Sequence, residues 1–400
     1  MWAENGICEL TPNSEIQNRI HALKKKMAEA DIRFSIIMGT VDLFYFSGTA
    51  QRGFLVIHLN GAPLLLVERD QDRARRESPL PVTPISSPRD VGSILSERGI
   101  LSGRGAMELD ILPVSTYNRF LGILGVDSCA DLSPLVREVR MIKSEFEITQ
   151  MKRSGEIMDA VFFRAREVIK EGMREIDVEA ELTAEGRRHG HQGLLRMRGF
   201  NAEMMCLYVI SGQAGTIPTA VDVTIAGLGV TPALPQGSSF KVIERDQAII
   251  LDYGAGYNGY ITDETRAFVI GTISEKFKRS HEIAREIIEE TAAFAREGTE
   301  STRIFEHALS KARGAGLEEH FMGYGKGKVG FVGHGLGLEL NEMPVITPRH
   351  PQILKEGMVF ALEPKFVFPG EGSIGVEADF IVRKERLERI TSHPLDLVRL

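Results

Sequence analysis

Apolar residues recur at helical spacing over residues 16–30, at Ile20, Leu23 and Met27. Three short apolar runs follow, at 34–38, 54–59 and 63–67, and each predicts a strand. Gly61 between the last two marks a hairpin, and the loop 86–90, with Pro88, leads into another helix. The alternation reads as a mixed α/β domain closing near residue 140. Residues 143–170 then predict one long amphipathic helix, whose apolar face carries Ile148, Met151, Met158, Val161, Phe162, Ala165 and Ile169. Core packing is the expected use of that face. The boundaries give two domains, 14–140 and 141–400.

A weak internal echo lies in the second. EGMREIDVEAELTAEGRRHG (171–190) aligns without gaps on EGTESTRIFEHALSKARGAG (297–316), matching Glu-Gly at the start, Arg187 with Arg313 and Gly190 with Gly316. Each segment links one long helix to a second. Helical composition also produces such agreement, so the echo alone leaves a duplicated α/β half and coincidence both open. In duplicated halves, a site would lie between them.

Composition narrows the function classes. The 400 residues carry 48 basic and 55 acidic side chains, a net charge of −7, without the basic excess that phosphate-backbone binding requires. Nucleic acid is therefore not an expected partner. Cys8, Cys129 and Cys206 are far apart and odd in number, which disfavours a disulfide framework and fits a reducing cytoplasm. The N-terminal stretch has neither a basic start nor an apolar run, and no segment reaches the length of an apolar membrane span. Neither export nor membrane insertion is expected.

The candidate chemistry begins in AIILDYGAGYNGYITDETRAFVIG (248–271). Two apolar runs around a Gly- and Asn-rich turn predict a β-hairpin. Asp263 shares a face with Thr265, and the hairpin brings Asp252 and Asp263 side by side if the register allows. Such a pair would repel unless protonated or bound to a cation. Two separate turn-flanking aspartates are the alternative from this segment alone. Three later residues shift the balance. His334 lies in the glycine-rich run VGFVGHGLGLELNEMP, Glu363 in the apolar strand MVFALEPKFVF, and Glu377 in the strand SIGVEADFIV. An unpaired carboxylate is costly in either strand. Together these five side chains form an oxygen-rich donor set suited to two divalent metals. GKGKVG (325–330) fits a GxGxxG pattern but follows a helical stretch, so a dinucleotide site is not expected.

The order and spacing of these residues resemble the creatinase, prolidase and aminopeptidase P group of metallopeptidases. The resemblance runs through FYFSGTA and GAPLLLVERD in the first domain and RMIKSEFEI at the junction. It implies an α/β (α+β) protein, with a creatinase-like N-terminal domain followed by a pita-bread catalytic domain of two similar halves. By it, Asp252 in DYG, Asp263 in TDETR, His334 in GHGLG, Glu363 in LEP and Glu377 in GVEADF are metal ligands, with Asp379 a near competitor of Glu377. It further implies two divalent cations, Mn²⁺ foremost with Co²⁺, Fe²⁺ or Zn²⁺ as alternatives, and Glu363 as general base for a metal-activated water. The implied activity is hydrolysis of the bond before proline in a peptide, by a homodimer.

Two positions depart from the family pattern. Histidines that usually stand beside the metals match Asn341, in ELNEMP, and Gln236, in LPQGSS. An amide donates a hydrogen bond but does not shuttle a proton near neutral pH. Asn341 and Gln236 are thus candidate substrate-reading residues. They keep open a metal-dependent hydrolase or lyase acting on a small non-peptide substrate; a non-catalytic binding protein is a further alternative. Arg196, Arg198 and Asn201 are candidates for gripping a carboxylate, and Thr265 for positioning a ligand. His189, His191 and His281 are expected at solvated or helix-capping positions.

Overall fold

The run Phe34–Ile37 is buried at every position and forms the centre of a six-stranded sheet. The computed structural model describes residues 9–219 and 221–400, so Cys8 lies outside the described residues. The chain divides into two units between Arg140 and Met141. The first contains α1 (Asn13–Glu29), β1 (Phe34–Ile37), α2 (Thr40–Ser47), β2 (Gly53–His58), β3 (Leu64–Val67) and α3 (Gln71–Glu77). It continues through β4 (Val82–Pro84), α4 (Arg89–Glu97), β5 (Gly105–Met107), α5 (Val114–Leu124), β6 (Ala130–Asp131) and α6 (Ser133–Arg140). The sheet order is β4-β3-β2-β1-β5-β6, and β2 and β3 form the antiparallel hairpin expected around Gly61. α1 buries Ile16, Ile20, Leu23 and Met27, the spacing that predicted it.

The second unit opens with α7 (Glu145–Val168). Ser144 caps it: its Oγ accepts from Glu147 N at 3.3 Å, while Glu147 Oε2 accepts from Ser144 N at 3.1 Å. Its apolar stripe is buried among the strands behind it, as a core-packing face. α8 (Glu175–Arg188) follows, and the pair is matched by α9 (Glu275–Phe294) and α10 (Ser301–Gly314). The aligned glycines turn both pairs: Gly172 at φ 87° and Gly298 at φ 85°. The echo is therefore structural, one helix pair in each half.

Between α8 and α9 come β7 (Leu207–Ser211), β8 (Ala248–Tyr257) and β9 (Tyr260–Val269), and after α10 come β10 (Gly333–Gly335), β11 (Glu342–Ile346) and β12 (Val359–Leu362). β13 (Lys365–Phe368), β14 (Gly372–Gly375), β15 (Ala378–Val382), β16 (Leu387–Arg389) and β17 (Val398–Arg399) complete the chain. One sheet has the order β17-β9-β8-β7, another β11-β10-β12-β15-β16, and β13 with β14 forms a two-stranded ribbon. No helix among the described residues is long and apolar enough to cross a membrane.

Two histidines do not take the solvated or capping positions expected of them. His191 is buried, and its Nδ1 accepts from Gly256 N at 2.9 Å. His281 lies on the inward face of α9 with Phe277, Ala284 and Ile288, and its Nε2 donates to Leu395 O at 3.0 Å. Helical periodicity sets that facing, and residue type does not reveal it. Burial lowers the His281 pKa to about 4. Between the unfolded pKa near 6.5 and about 4, the unfolded chain binds this proton and the folded chain does not. Stability is therefore present above 6.5 and lost as pH falls. Wild type is expected to lose roughly 3 kcal/mol more than His281→Gln across that window, read by denaturant melts at several pH values. Parallel pH curves for the two proteins would refute this.

Candidate metal centre

The β8–β9 hairpin turns on Asn258 and Gly259, at φ 50° and 91°. Both angles are left-handed, as a two-residue turn between twisted strands requires. The resulting register sets Asp252 opposite Thr265 and Gly254 opposite Asp263. Opposed residues face the same way and positions two apart repeat the facing, so Asp252, Asp263 and Thr265 share one face. The hairpin thus brings both carboxylates to one surface.

His334 occupies the middle of β10, between Val345 of β11 and Ala361 of β12. Its Nδ1 lies 3.3 Å from Gly335 O and donates to it, leaving an Nε2 lone pair free to bind a cation. That Nε2 lies 3.8 Å from Asp263 Oδ2, 3.8 Å from Glu363 Oε1 and 3.9 Å from Glu377 Oε1.

The two glutamates correct the sequence reading, which set both within strands. Leu362 pairs with Ala378 in one sheet and Lys365 with Gly375 in the ribbon, and Glu363 and Glu377 fall in the joints between those pairings. Pro364 cannot donate to a ladder, so the pairing breaks there. The backbone N–H of Glu363 is held by Val332 O at 2.9 Å and that of Glu377 by Thr265 O at 3.2 Å. Two coincident breaks place the carboxyls side by side.

Asp263, Glu363 and Glu377 are buried together. Burial, then the charges of Glu377 and Asp252, push Asp263 well above the usual carboxylate range. Burial also raises Glu377 to about 8, with Glu363 and Asp252 adding to the rise and Lys365 opposing it. Glu377 Oε1 is buried without a hydrogen-bond partner, while Thr265 Oγ1 donates to Glu377 Oε2 at 2.7 Å. Asp263, His334 and Glu377 offer ligand atoms within 4.8 Å of one another. A bare buried oxygen beside an imidazole lone pair and further carboxylates fits a divalent cation. Asp379 stands apart, accepting from Asp263 N at 2.9 Å.

Sequence reasoning missed Lys365. Its Nζ donates to Asp252 Oδ2 at 3.0 Å, Glu363 Oε2 at 2.9 Å and Glu377 Oε2 at 3.0 Å. Burial works against the ammonium, but the Asp252, Glu363 and Glu377 charges outweigh it and hold Lys365 well above the ordinary lysine range. The available signal was a lysine in the apolar strand KFVF, where an unpaired cation is as costly as an unpaired carboxylate.

The remaining candidates are placed as follows. A cavity of about 420 Å³ is lined by Asp252, Asp263, His334, Glu363 and Lys365, with apolar walls from Met204, Met205, Tyr208, Phe331 and Val345. Asn341 also lines it, but Asn341 Oδ1 accepts from Arg198 N and Nδ2 donates to Arg198 O, both at 2.8 Å. This amide secures the 196–201 segment. Gln236 is not among the lining residues, and its Nε2 donates to Glu203 O at 3.2 Å. Arg198 reaches Glu339 at 3.5 Å, while Asn201 lines the cavity and Arg196 does not. Thr265 positions Glu377.

Comparison with known proteins bears on the whole chain. The family model for the creatinase/prolidase N-terminal domain matches residues 19–142, and that for metallopeptidase family M24 matches residues 149–384. An Xaa-Pro dipeptidase of Pyrococcus furiosus is 28% identical over 385 residues, covering 96% of this chain and 100% of its own. Among solved structures, the Xaa-Pro dipeptidase from Bacillus anthracis is 26% identical with a TM-score of 0.82, over 96% of this chain and 100% of that one. The X-Pro aminopeptidase from Thermotoga maritima MSB8 is 26% identical with a TM-score of 0.79, over 95% and 99%.

Proposed function

Because this chain belongs to metallopeptidase family M24, we propose that it is a divalent-metal-dependent Xaa-Pro dipeptidase, cleaving the bond before proline. The observation that carries the reading is the donor set of Asp263, Glu363 and Glu377 gathered around His334 Nε2, with Asp263, His334 and Glu363 lining the cavity. The full-length likeness to an Xaa-Pro dipeptidase supports the choice of substrate. A divalent cation seated by those four residues supplies Lewis acidity toward the scissile carbonyl and acidifies water near neutral pH. Hard oxygen donors with one imidazole suit Mn²⁺.

The protein's own residues do the rest. Glu363 turns Oε1 toward the donor set while Lys365 holds Oε2, so the carboxylate is oriented to accept a proton from the attacking water. Thr265 and Lys365 together fix Glu377 Oε2. The apolar wall of Met204, Met205, Tyr208, Phe331 and Val345 offers a prolyl ring a dry contact. The non-peptide alternative rested on Asn341 and Gln236; Asn341 spends its amide on the Arg198 backbone, and Gln236 is outside the cavity lining.

The test is a turnover screen of Mn²⁺-loaded protein on Xaa-Pro dipeptides, longer Xaa-Pro peptides and amide-containing metabolites. Dipeptides with proline second are expected to be cleaved fastest. Cleavage of a non-peptide amide with no Xaa-Pro substrate turned over would reject the reading.

A further inference from the structure

The carboxylate cluster has two sides. Glu363 and Glu377 each turn Oε1 toward His334 Nε2, at 3.8 and 3.9 Å, and Oε2 toward Lys365 Nζ, at 2.9 and 3.0 Å. Asp263 Oδ2 completes the imidazole side, and Asp252 Oδ2 completes the ammonium side. Three carboxylate oxygens around one ammonium match its three N–H donors. A second divalent cation on that side would need the same oxygens.

The lysine is built into place. Its side chain is 4% exposed, and its strand partner is Gly375, where a Cβ would lie 2.7 Å from Lys365 Cγ and 2.8 Å from Lys365 Cα. A larger residue at 375 would have no room beside the lysine stem. Charge balance agrees with the geometry. One dication and one ammonium leave the four carboxylates with a single excess negative charge. Two dications would make the centre net positive and strip a buried ammonium of its acceptors, which is strongly unfavourable.

From this partition, and resting on the metallopeptidase reading above, we propose that the centre binds one divalent cation, on the His334 side, and that the Lys365 ammonium takes the place of a second. The lysine holds Asp252, Glu363 and Glu377 in register and stays when the metal is removed. It offers no coordination site to water, so Lewis-acid chemistry is confined to the imidazole side.

The test counts metal. Full-length protein is stripped with a chelator, reloaded with excess Mn²⁺ and desalted. One Mn²⁺ per chain by mass spectrometry is expected, with the electron paramagnetic resonance spectrum of an isolated ion. Asp252→Asn is expected to keep that ion, because Asp252 faces the lysine, and His334→Ala to lose it. Lys365→Met is expected to admit a second ion and show spin coupling. Two spin-coupled Mn²⁺ ions in wild type overturn the proposal, as does loss of the ion from a folded Asp252→Asn protein. If Lys365→Met does not fold, the wild-type count and spectrum still decide. Xaa-Pro hydrolysis measured on the same preparation separates the two readings. One Mn²⁺ without hydrolysis rejects the proposed function alone, two with hydrolysis reject this proposal alone, and none rejects both.

Discussion

Replacing Glu363 by Gln is expected to lower turnover of an Xaa-Pro dipeptide by roughly two to four decades. The amide has the same shape and keeps an oxygen to accept from Lys365, which holds Glu363 Oε2 at 2.9 Å. The backbone bond from Glu363 N to Val332 O is untouched, so the joint between β12 and β13 keeps its course. What disappears is the group that accepts a proton, together with one anionic donor beside His334. The two losses are separable. Turnover at saturating Mn²⁺, with bound metal counted on the same sample, restores whatever part is due to weaker metal binding. The residue attributable to the missing base does not return. Turnover near the wild-type value would remove Glu363 from the reaction.

Arg266→Met is expected to destabilise the protein by about 3–5 kcal/mol, the usual cost of leaving a buried charge without its partner. Arg266 is fully buried; its Nη2 donates to Glu264 Oε2 at 2.6 Å and its Nη1 to Glu377 O at 2.6 Å and Thr265 O at 2.9 Å. Its Nε donates to Pro394 O at 2.9 Å, and Glu264 Oε1 accepts from Asp379 N at 3.1 Å and Thr391 Oγ1 at 2.6 Å. One ion pair thereby ties β9 to the Glu377 joint and to the segment before β17. Guanidinium unfolding of the metal-free protein isolates this effect from metal binding. Adding Glu264→Gln to the variant is expected to recover part of the loss, because no buried charge is then left over. A loss below about 1 kcal/mol would show that the network adds no more than an exposed pair does.

Beyond the placement of Lys365 in an apolar strand, nothing local in the sequence tells what Arg266 or Lys365 holds, and the reason is the same for both. Arg266 sits two residues from Glu264 within a strand, and Lys365 two residues from Glu363 across a joint, spacings at which charged pairs are commonplace. Their importance comes from partners far along the chain: Glu377 and Pro394 for Arg266, and Asp252 for Lys365. The opposite holds for the β8–β9 hairpin. Its turn residues, Asn258 and Gly259, and the alternation around them set register and facing locally, so a pairing of Asp252 with Asp263 could be raised from the sequence, although that segment alone left two separate aspartates open. The matching Glu-Gly turns at 171–172 and 297–298 were legible because glycine readily takes the left-handed conformation that both turns require.

The sequence by itself determined the helix pairs, the central hairpin and the residue types of an oxygen-rich donor set, all products of short-range periodicity and turn chemistry. The tertiary structure decided the joints that align Glu363 with Glu377, the latch of Asn341 onto Arg198, and the division of each glutamate between imidazole and ammonium. The contacts that fix this arrangement include Lys365 with Asp252 and Thr265 with Glu377, each more than a hundred residues apart in the chain, and no local pattern encodes that distance.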